Sequence, residues 1–110
     1  MSGSSGGGGG GGSISNEEIT CENLKFEAQV ASPNPAVVST LTVNEVLTVT
    51  VAAGSGTQEV QVYTAAGHLV GGLLANRVSR LRECILNGTS YTAKVIMING
   101  GQVRVFVEHA

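Results

Sequence analysis

Aspartate and tryptophan are missing from this chain of 110 residues, and its aromatic side chains are two Tyr and two Phe. Without Asp, neither an Asp-containing catalytic triad nor an aspartate dyad can be assembled. Scarce aromatics leave the core to Val, Leu, Ile and Ala, and offer few rings on which a nucleobase could stack. No apolar run is long enough for a membrane-spanning helix and no basic-then-apolar leader opens the chain, so the expected setting is the cytoplasm.

Cysteine and histidine are equally sparse. Cys21, Cys84, His68 and His109 show neither C-x-x-C nor zinc-ligand spacing, and no metal site is expected. In a reducing compartment both cysteines are expected as buried free thiols, whereas a Cys21–Cys84 disulfide requires an oxidising one. Cys84 falls beside the apolar stripe of a helix, where a thiol is structural, and the glutamates sit mostly on solvent faces. The chain is therefore not expected to be an enzyme, nor to hold a cofactor or a small-molecule ligand.

Glycine is abundant, with 16 in the chain. Residues 1–13 are almost wholly Gly and Ser, a composition that cannot bury enough apolar surface to offset its ordering entropy. They read as a disordered tail, residues 14–23 as an acidic lead-in without firm structure, and residues 24–110 as a single domain. The poly-Gly run lacks the Gly-Lys-Ser/Thr ending of a phosphate-binding loop. Net charge is −2, unevenly spread: residues 1–55 carry one Lys and five Glu (−4), residues 56–110 five Arg or Lys and three Glu (+2). An anionic partner would meet the second half.

Alternation of apolar and polar residues marks the strands. Leu24, Phe26, Ala28 and Val30 form one buried face, as do Leu47, Val49 and Val51 within a strand over 46–51. Further strands are expected over 59–64 and 68–73, joined by a tight turn at Gly67, and two more end the chain. Ala53-Gly54-Ser55-Gly56 reads as a flexible connection. Between the first two strands, Asn34 as cap and Pro35 at the first helical position start a helical turn over 35–41. In the last hairpin, a three-residue loop of Asn99, Gly100 and Gly101 pairs Met97 with Val103, Val95 with Val105 and Ala93 with Val107. It sets Lys94 opposite Phe106 and leaves Ile96, Ile98 and Phe106 together on the reverse face.

One helix is expected over 77–86. Leu74, Val78, Leu81 and Ile85 recur at spacings of four, three and four, Asn76 can cap the start, and Gly88 after Asn87 can end it. Arg77 and Arg80 fall on one side of the stripe and Arg82 on the other. The sum is a β-rich α+β domain: a curled antiparallel sheet or partly open small barrel of about six strands with one main helix.

The run VQVYTAAGHLVGGLLANRVSRLRECILNGTSYTAKV, residues 60–95, resembles the second half of a HIRAN domain. Matching positions are Val60, Val62, Tyr63, Gly67, Val70, Gly71, Leu73, Ala75, Leu81, Leu86, Gly88 and the strand from Tyr91. The family's Arg-Glu-Pro and Asn-Pro-Tyr-Asp stretch has no counterpart before Val60, where the chain reads AAGSGTQEVQVY. The resemblance implies a small barrel-like module that binds single-stranded DNA ends or unusual DNA structures, in a family often attached to helicases or nucleases. The front half, SPNPAVVSTLTVNEVLTV, is similar to short stand-alone bacterial proteins.

Two surfaces are therefore expected. Ile96, Ile98 and Phe106 would form an interface for a protein partner or a second copy of the chain, which makes a small non-catalytic binding module the leading reading. Arg77, Arg80, Lys94 and Arg104 would meet phosphates if single-stranded DNA is bound.

Overall fold

The structure is a computed structural model that describes residues 19–52 and 59–110; the Gly/Ser tail, the start of the acidic lead-in and the Ala53-Gly54-Ser55-Gly56 connection lie outside the described residues. A 3-10 turn over Cys21–Asn23 leads into β1 (Phe26–Ala31), followed by α1 (Pro35–Val38) and β2 (Val46–Val51). The chain continues through β3 (Val60–Tyr63), β4 (Leu69–Leu74), α2 (Val78–Leu86), β5 (Tyr91–Asn99) and β6 (Gln102–His109). The strands close a barrel in the order β1-β4-β3-β2-β5-β6, with β6 returning to β1 and every pairing antiparallel. The expected α+β domain is thus present, and its barrel is closed rather than partly open. Closure removes the unpaired edges that an open sheet would have to protect.

Inward residues of all six strands make the core. Ala28, Val30, Leu47, Val49, Val60, Val62, Val70, Tyr91, Ala93, Val95, Val103, Val105 and Val107 are buried, with Leu24, Leu81 and Cys84 packed among them. Small β-branched side chains suit this interior, because a narrow barrel leaves little room for rings. Between β3 and β4 the turn is tight: Gly67 has φ of +92°, its N–H donates to the Thr64 carbonyl, and the buried Thr64 hydroxyl accepts from the His68 N–H at 3.1 Å. Asn34 caps α1 as expected, its side chain accepting from the Ala36 N–H, but the helix proper stops at Val38 rather than residue 41.

The main helix departs from expectation at its start. Leu74 is not in its apolar stripe; it ends β4, pairs with Gln29 and is exposed. Its spacing of four from Val78 is coincidental, since the chain turns between them. The N-cap is Arg77, with no side-chain cap, so Asn76 does not play that part. Val78, Leu81, Cys84 and Ile85 form the inward face. The C-terminus ends as the Asn87-Gly88 pair suggests: Gly88 has φ of +105°, its N–H donates to the Ile85 carbonyl, and the Thr89 N–H donates to the Cys84 carbonyl. This double closure satisfies carbonyls that the last turn leaves open.

The last hairpin keeps half of the expected register. Val95 pairs with Val105, Ala93 with Val107 and Lys94 with Phe106. Beyond Val95 the register shifts, so that Met97 faces Arg104, Ile98 faces Val103 and Asn99 faces Gln102. The extra residue is a bulge at Ile96, and the loop is Gly100-Gly101 rather than three residues. A bulge changes the in-out parity just as a longer loop would, so either device aligns the apolar sets around Val95. It also exchanges two side chains: Ile98 packs against the core, while Met97, expected inside, is exposed.

Candidate functional site: the outer face of the barrel

Register across neighbouring ladders places the outward side chains in rows. Val46 pairs with Lys94, Lys94 with Phe106 and Phe106 with Glu27, a row that crosses β2, β5, β6 and β1. The next row runs Met97, Arg104, Gln29 and Leu74 across β5, β6, β1 and β4. On the other side lie Thr48, Thr92 and Glu108. Strands in a sheet are spaced ~4.8 Å apart, so neighbours within a row are in side-chain reach.

This face mixes apolar surface with paired charge. Val46 is 52% exposed, Leu74 60% and Met97 37%, and Phe106 is half-buried among them. Arg104 reaches across to β1, donating from Nη1 to Gln29 Oε1 and from Nη2 to Glu27 Oε1, both at 3.3 Å. Lys94 is exposed beside Phe106. Of the expected interface, Phe106 lies on this face and Ile96 is the half-buried bulge residue, but Ile98 turns inward and must be removed from the set. In its place stand Val46, Leu74 and Met97. The sequence concealed these because each outward apolar residue follows or precedes an inward one, and alternation alone cannot say how strands lie side by side.

The expected phosphate-contacting residues divide into two pairs. Lys94 and Arg104 share the outer face, with Arg104 already engaged by Glu27. Arg77 and Arg80 belong to α2, where Arg77 is exposed at the N-cap. Arg80 donates from Nη2 to the Ile19 carbonyl at 2.9 Å and lies 3.6 Å from Glu83, while its Nε is buried without a hydrogen-bond partner among the described residues. Arg80 therefore serves the fold, holding the segment before β1 against the helix.

That segment is also held by a bond the sequence reading did not favour. Cys21 and Cys84 form a disulfide across 63 residues of sequence, not a pair of buried thiols. Nothing local in the sequence announces it; the 3-10 turn and α2 are brought together by the barrel. The Tyr91 hydroxyl donates to the Cys21 carbonyl beside the same junction, and burial raises the Tyr91 phenol above its usual range, with Arg80 opposing and Glu22 adding to the shift. His109 meets the Tyr91 ring edge-on, with centroids 6.1 Å apart.

Nearby, Glu22, Asn23, Leu24, Lys25, Glu108 and His109 line an open polar cleft of about 430 Å³. Among the described residues no group of three or more His, Cys, Asp or Glu is placed to hold a metal ion, and no helix is long and apolar enough to cross a membrane.

No protein-family model matches the chain, and no curated protein matches it either. Its fold is similar to that of a crystal structure of a protein from Lactobacillus plantarum, with a TM-score of 0.67 at 12% sequence identity, covering 76% of this chain and 89% of that one. At that identity the likeness concerns the architecture alone: a small six-stranded β-rich barrel with one main helix.

Proposed function

We infer that the chain is a non-catalytic binding module whose outer face, across β2, β5, β6 and β1, associates with a second copy of itself. The observation that supports this reading is the row Val46, Lys94, Phe106, Glu27. A two-fold axis through the middle of that row sets Lys94 of each copy against Phe106 of the other, and Val46 against Glu27. The middle of the row is thus self-complementary, as a two-fold interface requires, with each ammonium over a ring and Glu27 left to its pairing with Arg104 at the edge. Exposed Met97 and Leu74 flank it and supply apolar area, while the Arg104–Glu27 pair belongs to a polar rim. Light scattering over a concentration series tests this. Wild type rises above monomer mass at high micromolar concentration, and Phe106→Glu and Lys94→Glu both return it to monomer with an unchanged circular dichroism spectrum. A wild type that stays monomeric at several hundred micromolar removes the self-association reading.

A second reading draws on the HIRAN resemblance and on one further observation, that exposed Lys94 lies beside an aromatic ring on the outside of a closed barrel. Single-stranded DNA is bound elsewhere by such combinations of cation and stacking platform. Here Arg77 and Lys94 are the exposed members of the four proposed contacts, and Arg80 and Arg104 would have to leave Ile19, Glu83 and Glu27. Titration of single-stranded DNA with free 3′ and 5′ ends at rising salt decides it. Phosphate contact gives steep salt dependence, weakened further in Arg77→Ala/Lys94→Ala. No binding at about 50 mM salt with micromolar protein discards it.

A further inference from the structure

We propose that the Cys21–Cys84 disulfide is a reducible latch: closed, it holds residues 19–23 against α2; open, it releases them while the buried Leu24 and the barrel stay in place. Three observations carry this. First, the barrel closes without the segment, since among the described residues every ladder lies between Phe26 and His109, and β6 returns to β1 by pairing Phe26–Gln29 with Val107–Arg104. Second, the fully buried Leu24 anchors the far end of the segment, and before it only Ile19 and Cys21 pack, partly buried, against the core. None of Cys21–Asn23 is buried, and the turn's backbone bonds run only within itself, from Asn23 N–H to Thr20 and from Leu24 N–H to Cys21. Among the described residues, the segment is further tied to the rest of the molecule by the disulfide, by Arg80 donating to the Ile19 carbonyl and by Tyr91 donating to the Cys21 carbonyl. Third, the two cysteines differ in exposure: Cys21 is half-exposed and Cys84 is fully buried.

Access fixes the order of the chemistry. One thiolate of a dithiol reductant attacks Cys21 Sγ, forming a mixed disulfide and breaking the bond to Cys84, which leaves as a thiolate and takes up a proton. The reductant's second thiol then attacks its own sulfur, expels the Cys21 thiolate and closes the reductant's disulfide. Two electrons and two protons have passed to the protein, and the dithiol is oxidised.

Release has a structural consequence at the polar cleft. Glu22 and Asn23 line it together with Leu24, Lys25, Glu108 and His109, so opening the latch removes two of its six lining residues. In an oxidising compartment the latch is closed and in a reducing one it is open, and the same chain presents two different ends to a partner.

Hydrogen–deuterium exchange on the whole protein, with and without dithiothreitol under native conditions, tests the proposal. Peptides over 19–24 and the facing turns of α2 lose protection at least tenfold on reduction, while β5 and β6 keep theirs, and iodoacetamide then labels Cys21. Cys21→Ser/Cys84→Ser shows the same local opening without reductant. Loss of protection in β5 and β6 together with the segment would mean a global staple rather than a latch. An unlabelled Cys21 under native reduction, or a segment that stays protected in the double variant, overturns it equally.

Discussion

Gly71 and Gly72 stand side by side on β4, both buried, yet alanine is expected to behave differently at each. A Cβ on Gly71 would lie 2.7 Å from the Ala31 carbonyl oxygen and 2.7 Å from Val30 Cγ1, with the Pro33 Cα at 3.4 Å. These neighbours cannot step aside: Ala31 belongs to the β1–β4 ladder, pairing with Gly72, and Val30 is core. Ordinary contact would require a separation nearly 1 Å greater, taken up by backbone that closes the barrel. Overpacking of this kind costs about 1–3 kcal/mol, against roughly 0.4–1 kcal/mol returned by the stiffer unfolded chain. Gly71→Ala should therefore lose about 1–2 kcal/mol net. At Gly72 the Cβ would overlap only the carboxylate end of Glu59, an exposed and flexible side chain that can swing away. Gly72→Ala should fall within about 0.5 kcal/mol of wild type, or gain slightly. Urea unfolding followed by far-UV circular dichroism reads both. With a slope near 1–1.5 kcal/mol per molar for a domain of this size, Gly71→Ala moves its midpoint down by about 1 M. Equal midpoints for the two variants, or a larger loss at Gly72, would refute the close approach of β1 to β4.

Leu81 is fully buried at the centre of the inward face of α2, so Leu81→Ala leaves a cavity and costs about 2–5 kcal/mol in the same urea assay. A loss below about 0.5 kcal/mol would place that face in solvent. Tyr91 governs an alkaline limit. Its folded-state pKa is raised, chiefly by burial, so the folded protein binds that proton more tightly than the unfolded chain. Its contribution is complete below the unfolded value near 10 and is lost as pH climbs through the higher folded value. Wild type should therefore lose stability on passing from pH 9 to about pH 11, and Tyr91→Phe should lose less over the same interval. Parallel curves for the two proteins would show that the phenol titrates normally.

Much of the architecture was legible because it depends on local pattern. Val46–Val51 emerged with its bounds intact, since alternation is strong there and Asn44-Glu45 punctuates it. The Asn87-Gly88 ending of α2 and the Asn34-Pro35 start of α1 are equally local. The errors occurred where a periodic signal had two sources. Leu74 fits a helical stripe by number but ends a strand, and the parity of the last hairpin is met by a bulge as well as by a loop. The disulfide, the Arg80 anchor and the outer rows had no local signal at all. Each joins residues from different elements, and only the order of strands around the barrel determines which of them meet.

The barrel's final seam also has a temporal side. Arg104 and Gln29, which face each other where β6 meets β1, are 75 residues apart in the chain. At a synthesis rate of 5–20 residues per second, β1 waits about 4–15 s after its own appearance for this second neighbour. Its other neighbour, β4, arrives earlier, so a nascent sheet of β1 to β4 stands open along one side during that interval. An unpaired strand edge is then available to any extended chain nearby. Glu27 and Gln29, which point outward from β1, are the polar residues placed along that edge while it is exposed. The Glu27 that meets Arg104 in the finished barrel thus carries an unpaired charge on the growing one, where it disfavours premature pairing with another copy.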